Sequence, residues 1–449
     1  AAAGRKAGET MKIVAYAGAA KTTTLRMISE RLEGQRGIYI AFNKTIADEA
    51  GKSFPKSVRC RTMNSVAYGS MGIEYDQVGS INSHSVRALF GDGRSNPKFW
   101  LASKACGMAA AGQARLIALA ITNFCQSADQ EIGPQHLGAV LDQEVCRADT
   151  PLPDDKSRAA AVTKRNQRAL LETGLLPKVR AYWDHLLDFR TNGAKISHDF
   201  YLKLFEQDTG AIRQAFADVD YLMLDEAQDL NPVMRSIAIK SGKKTIAVGD
   251  SFQQIYAFRG AQDALNLLPG KRYPLSQSFR FGQDIADIAW TVLQSRPGPK
   301  ITQPRIRGTE CPSAVERATD VRSTASSGSR TVICRTNAGV LKYAAEAASG
   351  GKSVHVIGGI DAMVTEIESA LAIKNGRLHE VRSDNLKRFQ SWNEMVEEGK
   401  FDTSIKRLVE VVSGSAMADI ARVRRRSVGG ESGADLIVST VHKAKGMEW

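Results

Sequence analysis

A lysine–threonine pair after a short apolar run has the residue types and the spacing of a phosphate-binding loop. The segment Ala15-Tyr16-Ala17-Gly18-Ala19-Ala20-Lys21-Thr22 follows a β-rich run and precedes a helical pattern. In that context backbone N–H groups and a helix N-terminus converge on phosphate oxygens. Lys21 would reach the β- and γ-phosphates of a nucleotide, and the Thr22 hydroxyl would ligate Mg²⁺. The segment therefore predicts a nucleoside triphosphate site.

One position of this loop departs from the usual pattern. The residue before the lysine is normally glycine, and here it is Ala20. Glycine permits a backbone conformation that the Cβ atom of alanine disfavours, at a cost on the order of 1 kcal/mol or more. Taken alone, the loop is a degraded motif, so its interpretation depends on the residues that accompany it.

A second candidate for chemistry is the acidic sequence Asp225-Glu226-Ala227-Gln228-Asp229, which follows the apolar run Tyr221–Leu224. A carboxylate at the end of a buried parallel strand, beside a phosphate loop on the neighbouring strand, can hold Mg²⁺ through water. Glu226 would then activate the attacking water as a general base. The alternative is a solvated acidic turn. The apolar strand and the upstream lysine favour the catalytic interpretation.

The elements that must position these residues are short apolar runs, several of them followed by helical patterns, as a parallel α/β sheet requires. The predicted strands of the first set are 11–15, 37–41, 221–224 and 245–248. Those of the second set are 331–334, 353–357 and 435–439. We therefore predict two parallel sheets on either side of a boundary near Leu275.

Two stretches between these strands have a helical pattern instead. Residues 77–210 are rich in Ala, Leu, Arg and Gln, with a clear helical periodicity over 109–124. Residues 366–430 are charged and end in the basic run Arg422-Val423-Arg424-Arg425-Arg426. Such a run is more typical of a solvated helix face than of a phosphate-binding site, which is the alternative.

The charge and the cysteines restrict the class of protein. The formal net charge is +13 and the pI is about 9.4, which favours a polyanionic partner because phosphate contacts release counterions. The six cysteines are scattered without metal-binding spacing, so we expect no zinc or iron–sulfur cluster and a reducing compartment.

No stretch approaches the roughly 20 apolar residues of a membrane helix, and the first residues lack the apolar segment of a secretory signal. We therefore expect an intracellular protein with no membrane partner.

A third segment makes the pattern specific: Val248-Gly249-Asp250-Ser251-Phe252-Gln253-Gln254-Ile255-Tyr256-Ala257-Phe258-Arg259-Gly260-Ala261. Together with the acidic sequence, it resembles motifs II and III of UvrD-like superfamily 1A DNA helicases. The combination Gln253-Gln254-Ile255-Tyr256, with Phe258 after it, is most similar to the F-box DNA helicase branch and its bacterial and phage relatives.

Four further segments resemble helicase motifs in family order. Ala41-Phe42-Asn43-Lys44 resembles motif Ia, and Thr62-Met63-Asn64-Ser65-Val66-Ala67 resembles motif Ib, where histidine usually occupies position 64. Leu275-Ser276-Gln277-Ser278-Phe279-Arg280 resembles motif IV, and the segment 440–449 resembles motif V. The matches extend from residue 11 to residue 449, whereas 77–210 and 366–430 match poorly.

The resemblance implies an α/β fold of two RecA-like parallel-sheet domains with helical insertions, the superfamily 1 architecture of P-loop NTPases. Domain 1A would comprise 11–76 and 211–275, with 77–210 as helical insertion 1B. Domain 2A would comprise 276–365 and 431–449, with 366–430 as an insertion similar to domain 2B. No glutamine precedes the phosphate loop, and motif VI is missing after Trp449. We therefore expect domain 2A to be incomplete and the chain to be a fragment or to omit its ends.

The resemblance also implies roles for individual residues. Glu226 would be the general base, Gln253 would sense the γ-phosphate, and Arg280 from the second domain would stabilise the charge of phosphoryl transfer. The implied catalytic residues are Asp225, Glu226, Gln253 and Arg280, and the implied Mg²⁺ ligands are Thr22 and Asp225. The implied nucleotide contacts are Gly18, Ala19, Ala20, Lys21, Thr22, Thr23, Phe279 (on adenine), Gly446 and Glu448 (on ribose).

The implied nucleic-acid contacts are Phe42, Asn43, Thr62, Asn64, Tyr256, Phe258, Arg259 and His442. Phe258 is the best candidate for stacking on a base, an interaction worth about 1–3 kcal/mol. The alternative is that Phe258 packs in the core beside Tyr256. For Tyr256 itself, a structural role is the simpler interpretation. His442 either contacts DNA or has a packing role.

The motifs and the resemblance are consistent with two functions of different class. The first is an ATP-dependent DNA helicase or single-strand translocase that uses ATP and Mg²⁺ with 3′-to-5′ polarity, in repair, recombination, replication or phage- or plasmid-related DNA processing. The second is a helicase-like subunit with weakened ATP hydrolysis that binds nucleic acid as a regulatory or structural component. Ala20 favours the second function. The first is favoured by the intact residues Lys21, Asp225, Glu226, Gln253 and Arg280.

The expected partners are single-stranded DNA and duplex junctions, with a protein partner in a larger complex as a further candidate. The expected location is the cytoplasm for a bacterial or phage-encoded protein and the nucleus for a eukaryotic one.

Overall fold

A computed structural model describes residues 9–144, 155–255, 262–297, 300–313, 330–383, 386–387, 389–399, 403–413 and 416–445 of the chain. The chain divides into two compact units, Ala1–Arg317 and Ala318–Trp449. The predicted domain boundary near Leu275 lies inside the first unit, and the assignment of four domains stays a prediction. Within the described residues, no helix is long and apolar enough to cross a membrane.

The first unit is built on a parallel sheet of six strands in the order β3-β2-β4-β5-β1-β6. These strands are β1 (Thr10–Ala15), β2 (Gly37–Ala41), β3 (Val58–Thr62), β4 (Tyr221–Leu224), β5 (Lys244–Gly249) and β6 (Lys271–Leu275). A separate pair of parallel strands is formed by β7 (Gln277–Gly282) and β8 (Arg307–Thr309). The inner strands β1, β2 and β4 are buried along their whole length, as expected when helices cover both faces of a sheet.

The helices of the first unit surround the sheet and form the insertion after β3. They are α1 (Lys21–Glu30), α2 (Lys44–Ser53), α3 (Met63–Ser70), α4 (Ser83–Phe90), α5 (Ser103–Cys106), α6 (Ala110–Gln126), α7 (Pro134–Glu144), α8 (Asp155–Leu187), α9 (Phe189–Asn192), α10 (His198–Gln207), α11 (Thr209–Ala215), α12 (Pro232–Lys240), α13 (Ala264–Leu267) and α14 (Gln283–Ser295). Helix α6 is the centre of the insertion, because α4, α7, α8 and α10 all pack against it. The helical periodicity over 109–124 is thereby confirmed.

A buried ion network joins helix α10 of the insertion to helix α12. Lys203 and Glu206, both fully buried on α10, lie 2.9 Å apart, and Lys240 on α12 lies 2.5 Å from the other carboxylate oxygen of Glu206. The Ser236 hydroxyl donates a 2.6 Å hydrogen bond to that same oxygen. Burial alone would raise the pKa of Glu206, but the hydrogen bonds from Lys203, Lys240 and Ser236 outweigh it and hold the pKa below its usual value. The carboxylate is therefore a charged link between α10 and the helix that follows the acidic sequence.

The second unit contains a parallel sheet of three strands in the order β10-β11-β9. Its strands are β9 (Arg330–Cys334), β10 (Val354–Val356) and β11 (Leu436–Thr440). Its helices are α15 (Asn337–Ser349), α16 (Asp361–Lys374), α17 (Trp392–Gly399), α18 (Thr403–Ser413), α19 (Ala416–Arg426) and α20 (Val441–Ala444). One apolar core runs through the three strands and through helices α15 to α19. In the basic run at the end of α19, Arg422 and Arg424 pair with Asp419 and Glu368, which agrees with a solvated helix face.

All seven predicted strands are confirmed within a residue or two of their bounds, and both sheets are parallel. Four strands were not predicted: β3, β6, β7 and β8. Strands β3 and β6 are the two edges of the six-stranded sheet. Edge strands need no continuous apolar run, since the rest of the protein covers only part of each strand. Pro274 in β6 is tolerated because an edge strand has backbone N–H groups that pair with no neighbouring strand.

Candidate nucleotide-binding site

The phosphate-binding loop connects β1 to α1 at the carboxyl edge of the six-stranded sheet. Strand β5 lies between β1 and β4, so the loop, the acidic sequence and the segment after β5 meet at this edge. Gly18 in the loop has φ +69° and lies against β7: a Cβ atom there would be 2.5 Å from the Arg280 Cβ and 2.6 Å from the Ser278 Oγ. The Gly18 carbonyl also accepts a 2.8 Å hydrogen bond from the Phe279 N–H. Glycine is therefore required at position 18 by both conformation and space.

Two residues other than glycine adopt a left-handed backbone conformation among the described residues, and both belong to this site. Ala20 has φ 54° and ψ 44° at the start of α1, and Glu226 has φ 50° and ψ 43° directly after β4. This confirms that position 20 needs a conformation that glycine adopts more easily than alanine. Strained residues of this kind concentrate at functional sites, where the surrounding structure holds them in place.

The predicted catalytic side chains are in contact with one another. The Lys21 Nζ lies 3.2 Å from a carboxylate oxygen of Glu226. The Thr22 hydroxyl donates a 2.9 Å hydrogen bond to the Asp225 Oδ2, and the Glu226 N–H donates a 2.8 Å bond to the Asp225 Oδ1. The cation, the hydroxyl and the two carboxylates predicted from separate parts of the sequence thus form one cluster.

Asp225 is almost completely buried, and Tyr39 on the neighbouring strand β2 contacts it. The Tyr39 hydroxyl donates a 2.6 Å hydrogen bond to the Asp225 Oδ2. Burial, with the negative charge of Glu226 as the second cause, raises the pKa of Asp225, while the bonds from Tyr39 and Thr22 counteract part of this rise. Burial and then the Asp225 charge raise the pKa of Tyr39, so its hydroxyl stays protonated and donates.

The donor set of this cluster fits a magnesium ion that is shared with phosphates. Mg²⁺ in nucleotide sites is bound through one or two protein oxygens together with phosphates and water. The Thr22 hydroxyl uses its proton on Asp225, so its lone pairs remain available to a cation. Among the described residues there is no group of three or more His, Cys, Asp or Glu side chains that could hold a metal by itself. The residues present therefore suit a cation that arrives with a nucleotide.

Gln228 connects the acidic sequence to the segment after β5. Its side-chain amide, fully buried, donates a 2.5 Å hydrogen bond to Glu226 and a 3.2 Å bond to Asp229. Its oxygen accepts a 2.9 Å bond from the Asp250 N–H. Position 249 is glycine because a Cβ atom there would lie 2.3 Å from this same oxygen. Gln228 thereby fixes the Glu226 carboxylate relative to the turn that carries Gln253.

The structure places the other predicted nucleotide residues around the same edge. Gln253 lies in the turn after β5, between the phosphate loop and the acidic sequence, and its N–H donates to the Asp250 carbonyl. Phe279 is 67% exposed on β7, next to Gly18, and Arg280 follows it. Ala19 is buried in the loop and Thr23 is exposed in the first turn of α1.

The predicted DNA contacts at motifs Ia and Ib lie at the carboxyl ends of β2 and β3. Phe42 is 36% exposed, whereas the Asn43 side chain caps α2 by accepting from the Ile46 N–H. The Thr62 side chain caps α3 in the same way, and Asn64 is partly buried in the first turn of that helix. Capping already accounts for the residue type at 43 and 62, so their contact with DNA stays a prediction.

The remaining predicted residues are far from this cluster in sequence or outside the described part of the chain. His442 is exposed on α20 in the second unit. The predicted residues that lie outside the described residues are Tyr256, Phe258, Arg259, Gly446 and Glu448.

Two residues of the cluster were not predicted to have a role. Tyr39 stands in an apolar strand and looks like core, and no signal in the sequence distinguishes it. Gln228 lies within the acidic sequence, and a glutamine between two acidic residues after a strand is a usable signal for a buried polar link.

Comparisons with known proteins agree with this geometry. The UvrD/REP helicase N-terminal domain matches residues 1–273. F-box DNA helicase 1 of Gallus gallus is 28% identical over 466 residues, which cover 98% of this chain and 42% of that protein. F-box DNA helicase protein 1 of Schizosaccharomyces pombe is 26% identical over 474 residues, which cover 98% of this chain and 50% of that protein.

DNA helicase IV of Escherichia coli is 33% identical over 89 residues, which cover 17% of this chain and 13% of that protein. The chain spans half or less of the length of these curated relatives. Because the family match covers more than half of the chain and includes the phosphate-binding loop and the acidic sequence, the chain belongs to the UvrD/REP helicase family.

Proposed function

We propose that this chain is the motor core of an ATP-dependent DNA helicase, built on two RecA-like domains, that moves along single-stranded DNA with 3′-to-5′ polarity. The observation that carries the proposal is the cluster of Lys21, Thr22, Asp225 and Glu226, in which Lys21 and Glu226 lie 3.2 Å apart. Charged groups of this kind stabilise phosphoryl transfer by position and electrostatics. The membership of the helicase family supplies the substrate class.

Each side chain of the cluster has a defined task in this proposal. Lys21 binds the β- and γ-phosphates, and Glu226, fixed by Gln228, accepts the proton of the attacking water. Thr22 and Asp225 would hold Mg²⁺, which neutralises phosphate charge when bound. Water activation thus depends on a carboxylate whose position is set by β4 and by the turn after β5.

Three further residues act on the nucleotide in the proposed mechanism. Gln253 responds to the γ-phosphate, Arg280 stabilises the charge that develops on the phosphoryl group, and Phe279 stacks on adenine. The exposure of Phe279 beside Gly18 supports this assignment, because an aromatic ring next to the phosphate loop is available to a base.

The DNA track would run along the carboxyl ends of β2 and β3 in the first unit. Phe42 and Asn64 lie on this edge, and Phe258 would stack on a base. The net charge of +13 supports binding to a phosphate backbone. The names of the two F-box relatives and of helicase IV refer to DNA helicases, which supports DNA as the substrate.

Ala20 favours a second candidate, a helicase-like subunit with weakened ATP hydrolysis. Its left-handed conformation, φ 54° with a Cβ atom at the start of α1, is a strain that glycine would relieve. Only the share of this strain that the loop relieves when no nucleotide is bound weakens ATP binding, and a share of about 1.4 kcal/mol corresponds to roughly tenfold weaker binding. A titration of ATP against the wild-type protein and Ala20→Gly separates the candidates: tighter binding and faster turnover in the variant would identify a weakened motor.

Two variants test the proposed site. Lys21→Ala should abolish nucleotide binding, because the phosphates lose their nearest cation. Glu226→Gln should retain binding and slow hydrolysis by orders of magnitude, because the base is removed while the shape of the side chain is kept. ATP binding and turnover are measured separately for both variants. Normal turnover in Glu226→Gln would disprove the role of Glu226.

A further inference from the structure

Tyr39 contacts the catalytic cluster from a strand that carries neither the phosphate-binding loop nor the acidic sequence. Its side chain is fully buried on β2, and its ring packs against Phe54 with 4.8 Å between the ring centroids. Apolar packing would explain the ring but not the hydroxyl, which is 2.6 Å from the Asp225 Oδ2. The hydroxyl therefore needs an explanation of its own.

The contacts of Asp225 show what the hydroxyl does. Oδ2 accepts from both Tyr39 and Thr22, and Oδ1 accepts from the Glu226 N–H. A carboxylate has about four lone-pair positions, so three fixed donors leave room for one further contact in a defined direction. Without the Tyr39 hydroxyl, Thr22 would be the sole side-chain donor to Oδ2 among the described residues, and Thr22 is itself a proposed cation ligand.

Tyr221 provides an internal comparison. It is also a fully buried tyrosine in the same apolar core, on the adjacent strand β4. Its hydroxyl, however, is buried without a hydrogen-bond partner among the described residues. Two tyrosines in one core thus differ in whether the hydroxyl reaches the site, which makes them a matched pair for experiment.

We propose that Tyr39 is a positioning residue for the divalent cation of the ATP site: its hydroxyl fixes the Asp225 carboxylate in the orientation that receives the cation together with Thr22. The inference rests on the proposed function, because it assumes that Thr22 and Asp225 bind the cation. Residues that orient a ligating carboxylate typically change metal affinity by about 10- to 100-fold when they are removed. Tyr39→Phe keeps the ring and deletes only the donor.

The test is the dependence of nucleotide binding on free Mg²⁺, followed with mant-ATP, a fluorescent ATP analogue. In Tyr39→Phe the half-saturating Mg²⁺ concentration should rise by about tenfold, and saturating Mg²⁺ should restore nucleotide affinity. Tyr221→Phe should match the wild type. Melting temperatures of both variants report whether the core is intact.

A second measurement establishes that Tyr39 acts through Asp225. Tyr39→Phe is combined with Asp225→Asn, and the additional shift in half-saturating Mg²⁺ should vanish in the double variant. A Tyr39→Phe protein with the Mg²⁺ dependence of the wild type, whatever its melting temperature, would overturn the inference. Wild-type protein whose mant-ATP binding ignores Mg²⁺ would instead overturn the proposed cation site itself.

Discussion

Replacing Ala20 with glycine measures the cost of the left-handed turn that begins α1. Ala20 has φ 54° and ψ 44°, and its carbonyl accepts hydrogen bonds from both the N–H and the hydroxyl of Thr24 at 2.9 Å. The turn is therefore held by the helix that follows it. Glycine can adopt the same backbone angles without a Cβ atom, so Ala20→Gly keeps these bonds and removes the strain.

Two opposing effects set the magnitude. The left-handed conformation costs an L-residue roughly 1–2 kcal/mol, which glycine removes. Glycine also increases the conformational entropy of the unfolded chain, which lowers the free energy of unfolding by about 0.4–1 kcal/mol. Ala17→Gly is the control, since Ala17 lies in the same loop and is not among the residues with positive φ. The control carries the entropy cost alone, so Ala20→Gly should be the more stable variant by about 1–2 kcal/mol.

The assay is urea denaturation of the wild type and both variants, followed by far-UV circular dichroism. We expect Ala20→Gly to equal or slightly exceed the wild type in free energy of unfolding, and Ala17→Gly to fall below it. If the two glycine variants were equally destabilised, the left-handed strain at Ala20 would not exist and the reasoning would be refuted.

Two more predictions concern close packing and buried charge. Gly18→Ala should lower the free energy of unfolding by about 2 kcal/mol or more, because the new Cβ atom meets Arg280 and Ser278. The control is Gly34→Ala, at φ +77° in open space, which should lower it by only about 1 kcal/mol. Equal urea midpoints for the two variants would contradict the packing argument. Glu206→Gln should cost about 3 kcal/mol near neutral pH by leaving Lys203 and Lys240 without their carboxylate. Since the folded pKa of Glu206 lies below its ordinary value of 4.5, its contribution is complete above that pH and is lost as the pH falls through the folded pKa. Acid titration of stability should therefore be shallower in the variant, and an unchanged profile would argue against a charged Glu206.

The strands and the phosphate loop could be predicted because their signals are local. The runs at β1, β2 and β4 are continuous and apolar, which is what burial on both faces requires. The order of the strands could not be predicted, since it depends on packing between residues far apart in the chain. The edge strand β3, with arginines at 59 and 61, and the edge strand β6, with Pro274, lack the apolar run altogether.

The candidate site, like the fold, could be predicted where its signals are local in the sequence. Lys21, Thr22, Asp225 and Glu226 have residue types and spacing that point to phosphate chemistry, and the structure brings them together. Tyr39 was not predictable, because its contact with Asp225 exists only when β2 pairs with β4. A tyrosine in an apolar run looks like core until the neighbouring strand is known.

The most direct test of the account is steady-state ATP hydrolysis by the full-length protein with and without single-stranded DNA. Turnover should rise steeply on addition of the single strand, decline as salt weakens DNA binding, and disappear in Lys21→Ala. Turnover that is the same with and without DNA, or that survives in Lys21→Ala, would contradict the proposal that this chain is an ATP-driven motor stimulated by DNA.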